Sequence, residues 1–244
     1  MLSINTFLIQ KRGSEVIDCE DVFSANEGRK RFCIADGATE GFGSRYWARL
    51  IVKHWTRSNE LIIAREQLMK WSAALGLRFE RRWQRRPLPW FAEEKARSGG
   101  YAAFVGLSFR ESGHECYWKA IAIGDACLII RNKDVIRISF PLDDPEKFRF
   151  RPVLLPSNQC AQQTVLDKIE VRSGLVEPGD SFFLLTDAVA AWFLHAAKST
   201  PGEITKLEQM LQCRNRDELT EFIECARSKG SLRNDDVCIV RVAP

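Results

Sequence analysis

Phe32-Cys33-Ile34-Ala35-Asp36-Gly37 is the stretch on which the fold turns. An apolar run goes straight into a carboxylate and then a glycine. A short continuous apolar run that ends in a turn signal reads as a buried strand. The carboxylate at its end is half desolvated, which is costly for a charge unless something offsets it. The same pattern recurs along the chain. Ala120-Ile121-Ala122-Ile123-Gly124 leads into Asp125, and Phe182-Phe183-Leu184-Leu185-Thr186 leads into Asp187. Near the end, Asp235-Asp236 comes just before Val237-Cys238-Ile239-Val240. Carboxylates gathered from several strand ends repel one another, and a hard divalent cation is the usual remedy. The pattern predicts an oxygen-ligand metal site.

With 244 residues and 45% hydrophobic content, the chain can bury a substantial core. No Pro/Gly/Ser linker, low-complexity tract or internal repeat divides it, so one domain spanning residues 1–244 is expected. A net charge of +4 is small for this size and argues for neither nucleic acid nor membrane. Met1-Leu2-Ser3-Ile4-Asn5 lacks the features of a secretion signal. No apolar run reaches the ~18 residues needed to span a bilayer. The eight cysteines form no C-x-x-C pair, which removes the usual zinc and thioredoxin-like signatures. Cys33, Cys127 and Cys238 sit inside apolar runs as small hydrophobes. A reduced, cytoplasmic protein is expected.

Residues 5–35 read as two or three short strands, with turns at Lys11-Arg12-Gly13-Ser14 and Asn26-Glu27-Gly28. From Ser44, the spacing of Trp47, Leu50, Ile51, His54 and Trp55 predicts a helix. A second helix is expected over 60–85, with Leu61, Ala64, Leu68, Trp71, Leu75 and Phe79 as its stripe and Pro87 and Pro89 as its end. Strand periodicity returns at 101–109, 115–123, 127–131 and 135–140. Residues 141–163 read as irregular. Strands are expected again at 164–172 and 181–185, followed by helices near 188–197, 201–212 and 216–228 and a last strand at 237–242. Runs of strands with helices in pairs, rather than strict alternation, argue for an α+β fold.

The order of motifs resembles the PPM family, the metal-dependent, type-2C serine/threonine protein phosphatases. The resemblance rests on Glu20-Asp21, Ala35-Asp36-Gly37, Gly124-Asp125, Pro178-Gly179-Asp180 with Thr186-Asp187, and Asp235-Asp236-Val237, and covers about residues 5–242. It implies a four-layer αββα sandwich, two antiparallel β-sheets flanked by helices. It implies that Asp36 bridges two Mn²⁺ or Mg²⁺ ions, that the carbonyl of Gly37 completes the first ion's protein ligands, and that Asp187 and Asp235 hold the second ion. Asp21, with Glu20 behind it, would hold waters on the ions. Asp125 with Asp187 would form a possible third site. Carboxylates and carbonyls suit hard cations, and a pair of ions about 3.5–4 Å apart can activate water and clamp an in-line displacement at phosphorus. The resemblance further implies a phosphorylated protein substrate and a cognate Ser/Thr kinase. A monomer is the simplest expectation.

The chain departs from the family pattern in places. Ala38 follows the first Asp-Gly where a His or Met is common, and no histidine falls in a motif. Val16 stands where many members carry an arginine five residues before the first aspartate. Lys11 and Arg12, in the neighbouring turn, are the candidates for phosphate contact. Gly124-Asp125-Ala126-Cys127 and Thr186-Asp187-Ala188 keep the carboxylate and change a neighbour. Ala188 favours a helix directly after Asp187.

These departures motivate a second reading, a catalytically silent relative that binds a phosphoprotein or partner. A third reading rests on Arg78, Arg81, Arg82, Arg85 and Arg86, which fall on one helical face. Such a strip is either a patch for nucleic acid or an acidic partner, or a solvated helix face. Its local extent and the mild net charge favour the solvated face.

Overall fold

The alternation of side chains along each strand sorts the apolar residues onto two faces, and both faces are covered. The computed structural model describes residues 2–58, 62, 64–84 and 89–244, apart from the side chains of residues 84, 91, 92 and 94. Strands β1 (Ser3–Ile9), β2 (Asp21–Asn26) and β3 (Arg31–Gly37) come first, then helices α1 (Ser44–Arg57), α2 (Arg65–Gln84) and α3 (Trp90–Ser98). The chain continues through β4 (Tyr101–Ser112), β5 (Glu115–Ile123), β6 (Cys127–Asn132) and β7 (Val135–Phe140). A short β8 (Leu155–Pro156), α4 (Gln159–Val165), β9 (Glu170–Leu175) and β10 (Asp180–Leu185) follow. Helices α5 (Asp187–Ser199), α6 (Pro201–Cys213) and α7 (Arg216–Ser228) lead to the last strand, β11 (Val237–Ala243).

The strands form two antiparallel sheets. One has the order β1-β11-β10-β6-β7, the other β2-β3-β4-β5-β9 with β8 beside β4. Phe182 and Leu184 of β10 face the other sheet, where they meet Phe32, Ile34, Val105 and Phe109. Their neighbours Phe183 and Leu185 point the opposite way, into Val189, Phe193, Leu207 and Ile223 of α5–α7. On the other side, Cys33 and Ala35 of β3 and Phe104 of β4 pack under Trp47, Ile51 and Trp55 of α1 and Leu68 and Leu75 of α2. The layers are therefore helix, sheet, sheet, helix, as the resemblance implies. Each fully buried Phe, Leu or Ile in these seams contributes roughly 1.5–3 kcal/mol relative to exposure. Trp47 also donates its indole N–H to the Leu155 carbonyl at 2.8 Å, which ties α1 to β8.

The structure corrects the sequence reading in three places. The second helix begins at Arg65 rather than near 60, and Leu61, Arg85, Arg86 and Pro87 lie outside the described residues. A helix not expected, α3, follows Pro89 and stops at Gly99, which has φ 79°. The proline and glycine that bracket it read as breaks, although they also mark a helix start and stop. The strand expected at 164–172 is instead the end of α4, a short turn and then β9. Asn158 caps α4 by accepting the Cys160 and Ala161 N–H groups. Strand β9 closes one edge of its sheet and is largely exposed along its length, so it lacks the alternation that would reveal it. No described helix is long and apolar enough to cross a membrane.

Candidate functional site

Both sheets end in acid at the same end of the sandwich. Asp21 opens β2 and lies directly opposite Asp36 in the β2–β3 ladder. Asp125 follows β5 across a turn in which Gly124 has φ 91°. A Cβ on Gly124 would come within 2.6 Å of the Ala103 Cβ, so only glycine fits there. Asp187 is the first residue of α5, two residues past the end of β10, and Asp235 stands two residues before β11. Gly37 ends β3 against the start of α1, where a Cβ would meet the Ser44 carbonyl carbon at 2.8 Å.

These groups are close enough to act on one another electrostatically. Burial, then the charges of Asp187, Asp125 and Asp235, push the Asp36 carboxyl well above the usual range. Burial and the charge of Asp36 do the same to Asp21. Burial, with Asp187 next, pushes Asp125 up to about 7. Asp187 is raised by burial, against the opposing pull of Arg233. Glu20 is raised by burial, and a hydrogen bond from Thr39 and the nearby charge of Lys11 moderate it. Raised carboxyl values with mutual repulsion among the causes are the mark of an acid cluster whose counter-charge is incomplete.

A set of fixed contacts holds the cluster. The Thr186 hydroxyl donates to Asp21 Oδ2 at 2.8 Å and accepts from the Cys238 N–H at 3.0 Å. The Asp236 carboxylate accepts the Lys11 N–H at 2.8 Å and the Glu20 N–H at 2.7 Å, which joins the β1–β2 connection to the start of β11. Buried Arg227 of α7 donates to the Asp235 carbonyl at 2.5 Å and the Gln10 carbonyl at 3.2 Å. The Arg233 guanidinium bonds both Asp187 and Asp235, the latter at 3.0 Å.

The structure therefore brings Asp21, Asp36, Gly37, Asp125, Asp187 and Asp235 to one end of the fold. Lys11 lies beside Glu20 at its rim. The Arg12 guanidinium is engaged by Glu224 and Ser228 of α7. Among the described residues, no group of three or more His, Cys, Asp or Glu side chains stands ready to hold a metal ion. Two of the acid groups are bound to Arg233 and a third to Thr186.

No protein-family profile matches the chain, and no curated protein matches its sequence. Its backbone does match solved structures along its whole length. The Mycobacterium tuberculosis serine/threonine phosphatase PstP/Ppp superposes with a TM-score of 0.64 at 13% identity, over 99% of this chain and 97% of that one. The catalytic domain of PstP in complex with two manganese ions gives 0.63 at 14% identity, over 99% and 98%. The PPM Ser-Thr phosphatase MsPP from Mycobacterium smegmatis, in complex with cacodylate, gives 0.57 at 16% identity, over 98% and 97%. The fold is that of the PPM phosphatases.

Within this PPM fold, sequence reading located the acids but missed the residues that hold them. Arg233 sits two residues before Asp235, in Leu232-Arg233-Asn234-Asp235-Asp236. A cation that close to paired acids was a readable signal. Arg227 gave none, because an arginine on an amphipathic helix reads as solvated until its burial is seen. The helical arginine face is partly spent within the protein. Arg78 contacts His54, and Arg82 stacks on Tyr46 with its guanidinium 4.4 Å from the ring centre.

Proposed function

We propose that the chain is a metal-dependent protein serine/threonine phosphatase, a hydrolase of phosphomonoesters on proteins. The observation that carries this reading is the convergence of Asp21, Asp36, Asp125, Asp187 and Asp235, from both sheets, at one end of the sandwich. The donor set is all oxygen, without imidazole or thiolate, which fits hard Mn²⁺ or Mg²⁺. Asp36, the Gly37 carbonyl, Asp187 and Asp235 are the groups that would hold the ions. Asp125 with Asp187 supplies a third position. Two such ions supply Lewis acidity toward phosphate oxygens and make water more acidic.

The chain's own residues do the rest. Asp21, held by Thr186, orients water at the pocket. Lys11 is the cation of the expected pair left for the phosphate, since Arg12 is occupied by α7. With no histidine in the cluster, the leaving alkoxide takes its proton from solvent. The phosphate dianion cannot approach so many carboxylates without counter-charge, so bound ions would serve binding as well as chemistry. The substrate is a phosphoprotein, placed opposite a Ser/Thr kinase, and the protein acts as a single cytoplasmic domain and monomer. Engagement of Arg78 and Arg82 within the fold supports a reading without nucleic acid.

The test is turnover of p-nitrophenyl phosphate and a phosphothreonine peptide with Mn²⁺, Mg²⁺ or EDTA. Hydrolysis that depends on the divalent ion is expected. A folded protein inert with every ion would overturn the reading. One observation favours a second reading, a catalytically silent phosphoprotein-binding module: Arg233 already supplies positive charge to Asp187 and Asp235. Under that reading, calorimetry detects no Mn²⁺ binding.

A further inference from the structure

Arg233 is the cation that the acid pocket carries with it. Its Nη2 donates to Oδ2 of Asp187 and, at 3.0 Å, to Oδ2 of Asp235. The other oxygens of these carboxylates are taken by main-chain donors, Ala188 N–H on Asp187 Oδ1 and Asp236 N–H on Asp235 Oδ1. Every oxygen of the pair thus has a protein partner. The main-chain donors are fixed by the start of α5 and the approach to β11. The guanidinium is on a long side chain that is 52% exposed, while the Asp187 side chain is only 13% exposed. Arg233 is the donor that can leave.

We propose that Arg233 is the resident counter-cation of the Asp187–Asp235 pair, and that a divalent ion takes this position only by displacing its guanidinium. The inference rests on the metal-dependent reading above. A single positive charge shared by two carboxylates leaves the pocket net negative, with Asp36, Asp21 and Asp125 adjacent. A divalent ion carries twice the charge in a smaller volume, so it wins at sufficient concentration. The exchange lowers apparent metal affinity, because the competent, uncovered pair is only a fraction of the metal-free population. It also keeps the metal-free fold from opening under its own repulsion. Metal occupancy then becomes a switch with two closed states, one held by the arginine and one by the ion.

The measurement is calorimetric titration of Mn²⁺ into wild type, Arg233→Met and Arg233→Lys, alongside melting curves in EDTA. Methionine keeps the length and removes the donors and the charge. Arg233→Met should bind Mn²⁺ tighter by on the order of tenfold, a common size for coupling between ligands. It should also melt at a lower temperature than wild type in EDTA. Arg233→Lys should lie between, and it stands in should the methionine variant fail to fold. Equal or weaker Mn²⁺ binding in the variants, with binding in wild type, overturns the displacement and leaves the metal-dependent reading standing. No Mn²⁺ binding in any of the three sinks that reading, and this inference with it.

Discussion

The Thr186 hydroxyl bridges the two sheets, donating to Asp21 on one and accepting from the Cys238 main chain on the other. Thr186 and Asp21 are 2% exposed or less, so neither can trade this bond for water. The contact fixes the seam at the end where the acids gather.

Thr186→Val keeps the shape and removes the hydroxyl. It strands the buried Cys238 N–H and takes from Asp21 a bond that favours its charged form. A buried donor left without a partner costs about 1–3 kcal/mol. Urea unfolding of the metal-free protein should show a loss of that size with an unchanged m-value. An unchanged midpoint would mean that the bridge is not formed in solution.

Asp36→Asn tests the centre of the cluster. Asp36 is pushed up by burial and by Asp187, Asp125 and Asp235, so its ionisation opposes folding in the absence of metal. Neutral asparagine removes that opposition. Turnover should fall to background in Mn²⁺, while the melting temperature in EDTA stays level or rises. A lower melting temperature in EDTA would show that Asp36 is held by favourable partners instead.

The same raised values set the pH dependence of the metal-free fold. A carboxyl whose folded value exceeds its unfolded value keeps a proton that the unfolded chain has already released. The native state then binds more protons, and stability falls as pH rises between the two values. For Asp125 that window runs from about 4 in the unfolded chain to about 7 in the fold, and Asp36, Asp21 and Glu20 act in the same direction. In EDTA the protein should melt higher near pH 5.5 than near pH 8. Mn²⁺ should narrow or reverse the difference, because the ion favours the charged forms. Asp125→Asn should flatten the profile, and an identical profile in that variant would remove Asp125 from the account.

Apolar runs that stop at an acid were legible because a buried strand leaves a continuous signature and a terminal aspartate is anomalous beside it. Arg31–Gly37 and Asp180–Leu185 declare themselves this way, and so does the pairing of helices with outer faces through Trp47 and Phe193. Strand β9 was misplaced because it is an edge strand with little to bury, and α3 because its flanking proline and glycine signal either a break or a helix. At the site, the gathered acids were legible as residue types in context, while their supports depend on contacts between residues far apart in the chain. Arg227 and Gln10 are 217 positions apart, and Asp236 reaches Lys11 across 225. No local pattern encodes such a pair.

Arg227 leads to the last prediction. Its side chain is almost fully buried, its Nη1 pairs with Glu224 at 2.6 Å, and its donors hold the carbonyls of Asp235 and Gln10. It touches none of the site carboxylates, so it acts on the site by fixing the main chain that presents Asp235. Arg227→Met keeps the apolar stem and removes the donors, leaving Glu224 with Arg12 as its partner. Charged hydrogen bonds of this kind contribute about 1.5–3 kcal/mol each, so global stability should drop by a few kcal/mol. Hydrogen exchange should accelerate at residues 231–236 beyond that global loss, and Mn²⁺ affinity should weaken while Arg227→Lys recovers part of it. A variant that loses stability yet binds Mn²⁺ with wild-type affinity would reduce Arg227 to a packing residue, and Asp235 would then owe its position to Asp236 and the β11 ladder alone.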